Sequence, residues 1–159
     1  MFKQLMTIGE PVLRGQANPV TKFNNIRLQL VLRDMAETMY RENGVGLAAP
    51  QIGIRRRIVV LDVGEGLVEL INPEIVSLEG EIGMVEGCLS VPGRRGFVVR
   101  PERVKVKAQD RKGEWFEIEG DGLLGRCLQH EIDHLDGILY VDKMDHEVFD
   151  EDMVEEQEA

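Results

Sequence analysis

Apolar residues recur with two different periods along this chain. Between Asn25 and Glu42, Leu28, Val31, Leu32, Met35 and Met39 fall three or four apart, with Arg27, Arg33, Asp34 and Glu37 off that stripe. This spacing predicts an amphipathic helix that packs one face on a core. A second helical pattern runs through Leu123, Leu124, Cys127, Leu128, Glu131, His134 and Leu135, and Gly137 is placed to stop it. Elsewhere the period is two or the run is unbroken. Arg57–Val63 predicts a buried strand through Ile58, Val59, Val60 and Leu61, and Val68–Asn72 and Glu74–Glu79 predict two more, broken at Pro73. Val104, Val106 and Ala108 alternate with polar residues, as do Phe116 and Ile118, around an Asp110-Arg111-Lys112-Gly113 turn. Ile138–Val141 predicts a short last strand, whereas residues 1–24 read as irregular. The expected architecture is α+β, with antiparallel strands packed around a central helix over 123–135 and an N-terminal helix.

Composition narrows the class. The chain has 159 residues and is 43% apolar, enough for one domain with a real core. No apolar run reaches membrane-spanning length, and Met1–Met6 lacks the pattern of a signal peptide, so a soluble cytoplasmic protein is expected. Two cysteines, Cys88 and Cys127, in a reducing compartment suggest a ligand, a nucleophile or core filler before a disulfide. The net charge is −10, but residues 144–159 hold eight acids and no Lys or Arg. The other 143 residues carry 19 basic and 21 acidic groups, so the domain, set at 1–143, is near neutral. Residues 144–159 are expected as a short, solvated, partly disordered acidic tail. Nothing resembles the basic footprint of a DNA-binding protein.

The second helical pattern contains His130-Glu131-Ile132-Asp133-His134. Histidines four apart share a helix face, so both imidazoles can reach one ion, and a glutamate beside them can handle protons of a bound water. A catalytic site of this kind needs a third ligand and an open position. Cys88, Cys127, Asp133, Asp136 and His146 are the candidates. Asp133 faces away by the helical count, and His146 falls in the tail. Cys127 lies seven residues from His134, a rise of about 10.5 Å, too long for a short side chain to share the ion, so it is expected beside the metal. Cys88, in a glycine-flanked loop at 83–93, is free to close the site. Small residues also crowd Asn43–Gly53, which suits a backbone that must approach something closely. It is no phosphate loop, since no Gly-Lys-Ser/Thr follows.

Three separated stretches then match one family in order. Gly44-Val45-Gly46-Leu47-Ala48-Ala49-Pro50-Gln51, Glu86-Gly87-Cys88-Leu89-Ser90 and His130-Glu131-Ile132-Asp133-His134 resemble the motifs of peptide deformylases, over roughly residues 5–142. The resemblance implies removal of the formyl group from N-formylmethionyl peptides and nascent chains, with release of formate. It implies that Cys88, His130 and His134 hold one divalent metal, commonly Fe2+ in this family, although such a donor set also accepts Zn2+, Ni2+ or Co2+. Glu131 would move the protons, and the Gln51 amide and the Leu89 backbone N–H would stabilise the oxyanion. An extended peptide would add as a strand against the backbone at Gly46. By matched position, Val45, Leu123, Cys127 and the stem of Arg95 would receive the methionine side chain.

Two other readings compete. A zinc endopeptidase also uses HExxH, but it takes a third ligand downstream, where only Asp136, Asp142, Asp145, His146 and tail acids stand without matching spacing. A non-catalytic module with a closed Cys88, Cys127, His130 and His134 site meets the same helix-length objection. Many bacterial members of the family end in a basic helix thought to dock on ribosomal RNA. The acidic tail here opposes such docking electrostatically.

Overall fold

Ile58–Leu61 (β2) is apolar without interruption because both of its faces are covered. Ile58 and Val60 point into a core shared with Leu28, Leu32, Met35 and Met39, while Val59 and Leu61 pack with Leu128, Ile132 and Leu135. Side chains alternate across a strand, so one short strand feeds two cores. The first set comes from α1 (Ile26–Arg41) and the second from α2 (Gly122–Leu135). Each fully buried leucine in these layers contributes roughly 1.5–3 kcal/mol relative to exposure. The computed structural model describes residues 1–149.

Local chemistry sets the helix ends. Asn25 caps α1 by accepting the Leu28 N–H at 2.9 Å. Past α2, Gly137 takes φ +75°, and a Cβ there would lie 2.6 Å from the Arg14 carbonyl oxygen. The N-terminal segment wraps over this end. Arg14 and Arg57 reach the last carbonyls and acids of the α2 terminus, at Gly137, Leu135 and Asp136.

Five strands form the main antiparallel sheet in the order β1-β2-β3-β6-β7, with β1 at Gly46–Ala48, β3 at Val68–Glu79, β6 at Arg103–Gln109 and β7 at Trp115–Gly120. A second antiparallel sheet is ordered β4-β5-β8, with β4 at Ile82–Cys88, β5 at Val91–Arg100 and β8 at His146–Val148. The fold is thus α+β, as its pattern predicts. Among the described residues, no helix is long and apolar enough to cross a membrane.

Four local expectations change. Residues 83–93 are not a loop but most of a hairpin. Its glycines mark close packing: a Cβ on Gly83 would run into the Phe97 ring, and one on Gly96 would sit 2.7 Å from Met144 Sδ. Residues 138–141 do not form a strand. Tyr140–Asp142 is a 3-10 turn, with the Asp142 carboxylate accepting the Leu139 N–H at 2.9 Å. The segment expected as tail from residue 144 enters the fold, because His146–Val148 pairs with Arg95–Phe97. Residues 150–159 of that tail lie outside the described residues.

The fourth change is at Pro73, which does not split the strand. Pairing of β3 with β6 shifts register between Ile71 and Glu74, so the missing proline N–H falls in a bulge. Asn72 holds this bulge with φ +52°, and its side chain accepts from Val20 N and donates to Val20 O and Gln109 Oε1, each at 2.8 Å. Asn72→Ala removes three hydrogen bonds of about 1 kcal/mol each and a residue suited to that backbone angle. Urea unfolding of this variant is expected to show a loss on the order of 2–4 kcal/mol.

Candidate active site

The last residue of β4 is Cys88, and α2 carries His130 and His134 one turn apart. Their donor atoms all lie within 4.8 Å of one another, and Cys88 Sγ is 3.3 Å from His134 Nε2. Among the described residues this is the group of three or more His, Cys, Asp or Glu that can take a metal ion. The other sequence candidates for a third ligand are engaged elsewhere. Asp133 accepts from Arg100 and Lys143, Asp136 from Arg57, and His146 stacks on Phe97. Cys127 Sγ lies 3.7 Å from the Val45 carbonyl oxygen, and burial, followed by the nearby Glu131 and Glu86 charges, pushes its thiol well up. It stays a protonated wall of the site.

The surroundings suit a cation. Burial, then the charges of His130 and Arg100, push the His134 pKa well down, so this imidazole stays neutral and able to ligate. Burial also opposes a charge on His130. Hydrogen bonds to Cys88 and Glu86 outweigh it and hold the His130 pKa well above the ordinary value. A divalent ion among these donors would supply the positive charge that this pair of partners favours. Glu131 stands beside them, almost wholly buried. Burial pushes its carboxyl up to about 7 against the pull of His130, and its Oε1 has no hydrogen-bond partner. A buried carboxylate oxygen left open costs free energy unless a ligand or water meets it.

Gln51 reaches the same place from the 3-10 turn Ala49–Ile52. Its Oε1 accepts the Ala48 N–H at 2.9 Å, which fixes the amide orientation. Its Nε2 donates to Ser90 Oγ at 3.1 Å and lies 3.6 Å from Cys88 Sγ. These groups face a cleft of about 530 Å³ whose walls include Val45, Gly46, Leu89, Arg95, Leu123 and Cys127. Cys88, His130, Glu131 and Gln51 line it as well, while His134 is buried behind them. β1 and β4 are both end strands of their sheets, and both contribute to the wall.

Sequence reasoning missed the groups that hold this arrangement. Glu86 is buried and accepts from His130 Nδ1 at 2.8 Å. Burial alone would raise its carboxyl, but hydrogen bonds from His130 and Arg100 prevail and hold it at about 2. Arg126 also donates to it. Ser90, which orients Gln51, was missed too. Glu86 and Ser90 flank Cys88 inside one short motif, and that adjacency was the available signal. Arg100 and Arg126 gave none, because a lone arginine in a strand or helix reads as a solvated charge.

A cysteine from a sheet edge, two histidines from one helix and an open buried glutamate define a metal-dependent hydrolase. The model of the polypeptide deformylase family matches residues 2–149, and the chain belongs to that family. It is 59% identical over 143 residues to a peptide deformylase of Caldanaerobacter subterraneus subsp. tengcongensis, covering 90% of this chain and 89% of the relative. A second, from Thermoanaerobacter sp., is 61% identical over 142 residues, covering 89% and 85%. The crystal structure of a peptide deformylase from Thermotoga maritima superposes with a TM-score of 0.88 at 46% identity, over 91% of this chain and 98% of that one. Hydrolysis of the N-formyl amide of nascent peptides is the reaction of this family and of this chain.

The approach of β1 to α2 is the tightest constraint at the site. A Cβ on Gly46 would fall 2.6 Å from Glu131 Oε2 and 2.7 Å from Cys127 Sγ. Gly46→Ala must therefore displace Glu131 or the strand, and misplacement by about 1 Å costs on the order of 100-fold in rate. Steady-state kinetics are expected to show a loss of at least that order, while far-UV circular dichroism stays unchanged.

Proposed function

We propose that Cys88, His130 and His134 hold one divalent ion, Fe2+ in the cell, and that the chain works in the cytoplasm on the N-terminal formylmethionine of newly made proteins. One observation carries this reading: three donors within 4.8 Å of one another beside a buried Glu131 oxygen that has no partner. When bound, such an ion lowers the pKa of a water and polarises a carbonyl oxygen.

The remaining work falls to the protein. Glu131 takes a proton from the attacking water as its oxygen bonds to the formyl carbon. It returns a proton to the nitrogen as the carbon–nitrogen bond breaks, leaving formate and a free amino terminus. A pKa near 7 suits a group that must both accept and donate, since neither transfer is then steeply uphill. Gln51 Nε2 and the Leu89 N–H donate to the oxyanion. The Gln51 amide needs no reorientation, because Ala48 already binds its oxygen. The peptide lies extended between the free edges of β1 and β4, against the Gly46 backbone, and Val45, Leu123, Cys127 and the Arg95 stem take the methionine side chain. An acidic C-terminal segment disfavours ribosomal RNA as its contact.

Formate release from formyl-Met-Ala-Ser by anaerobically prepared protein tests the reading. Glu131→Ala is expected to lose activity by roughly 100- to 10,000-fold with its metal retained. A fully metallated wild type that releases no formate would falsify the assignment. Cys127→Ala separates catalysis from a closed structural metal site. It is expected to keep stoichiometric metal by elemental analysis, because the Cys127 sulfur lies outside the donor group.

A further inference from the structure

The three donors come from two elements that share no backbone hydrogen bonds, so side chains must fix the spacing of β4 from α2. Arg126 is placed to do so. It sits four residues before His130, one turn back on the same side of α2, and it is buried. Its Nη1 donates to Glu86 Oε2 and to the Val98 carbonyl oxygen, and its Nη2 to the Ile82 carbonyl oxygen, each at 2.8 Å. One guanidinium thus joins α2 to both strands of the β4–β5 hairpin, two residues from the Cys88 ligand. Only an arginine supplies enough planar donors for three such acceptors.

Glu86 completes the connection. Arg100 grips its two oxygens through Nε at 2.5 Å and Nη2 at 3.0 Å, and also donates to Asp133 on α2 at 2.8 Å. With its orientation set from both sides, Glu86 Oε1 accepts a hydrogen bond from His130 Nδ1–H at 2.8 Å. That leaves His130 Nε2 as the nitrogen that faces the other two donors. We infer that Arg126 is a positioning residue for the metal centre. It tethers α2 to the β4–β5 hairpin and fixes Glu86, and through Glu86 the tautomer and ring plane of His130. Its role is to slow the loss of the ion, to which it contributes no donor atom, although it lines the cleft beside Leu123 and Cys127. This rests on the reading that Cys88, His130 and His134 hold the ion.

Zinc-loaded full-length protein tests the inference, with transfer of zinc to an excess of a chromophoric chelator followed in time. Arg126→Met is expected to release zinc about 10- to 100-fold faster than wild type, on the scale by which metal binding weakens when the support of a liganding histidine is lost. Leu32→Ala, a cavity in the α1 core whose buried members include none from α2, β4 or β5, is the control for general destabilisation and is expected to release zinc at the wild-type rate. Arg126→Lys keeps the charge with fewer directed donors and is expected to fall between. In the cobalt form, the visible ligand-field bands are expected to shift for Arg126→Met and not for Leu32→Ala. Release rates and spectra that match wild type, or that change equally in the Leu32 control, overturn the inference. Should Arg126→Met not fold, Arg126→Lys decides, and a wild-type release rate there overturns it. A wild type that takes up no zinc removes the site reading together with the inference, and that is seen before any variant is compared.

Discussion

The Glu86 carboxylate lies in the interior and accepts four hydrogen bonds, two from Arg100 and one each from Arg126 and His130. An ionised carboxylate without such partners would cost several kcal/mol to bury. Here the cost is offset only when β4, β5 and α2 are all in place, because those elements supply the donors. The same contacts that make the charge tolerable also bring Cys88 to the two histidines. Packing of the second sheet against α2 and assembly of the donor group therefore depend on the same contacts.

Crowding is the second constraint. β1 runs so close to α2 that only a hydrogen atom fits at Gly46, and Gly44 is pressed equally close to the Leu89 side chain, with a Cβ position 2.7 Å from its Cδ1. This closeness removes water from around Glu131 and aligns a free strand edge with the cleft. The small residues from Gly44 to Ala49 are thus a packing requirement with a chemical consequence. Gly46 of β1 presses on Glu131 Oε2, while the other carboxylate oxygen, Oε1, is the one without a hydrogen-bond partner.

Two carboxylates within this small region are driven in opposite directions from the ordinary carboxylate pKa. Glu86, surrounded by cationic donors, is held at about 2, while Glu131, buried without a partner on Oε1, rises to about 7. Environment alone assigns their roles, since the side chains are identical. The ionised group orients a histidine, and the group near neutrality is suited to the proton transfers proposed for it.

By itself, the sequence determined the two helices, the buried β2 and which three side chains to look for as a candidate donor group. These follow from period, from histidines spaced by one turn, and from the few cysteines on offer. It also held the reaction, through three short motifs whose order and content leave little room for chance. Only the tertiary structure decided the rest. The glycines of 83–96 look like loop residues until Phe97 and Met144 are seen occupying the space that side chains would fill. Pro73 looks like a strand end until Asn72 is seen holding a bulge across to Val20 and Gln109. Residues 146–148 look like solvated tail until β5 offers them an edge. Glu86, Ser90, Arg100 and Arg126 look like ordinary polar positions because their partners lie 14 to 44 residues away in the chain. Local pattern reports what a residue does with its near neighbours. A hydrogen bond to a distant strand has no period, so it becomes legible only when the chain has folded.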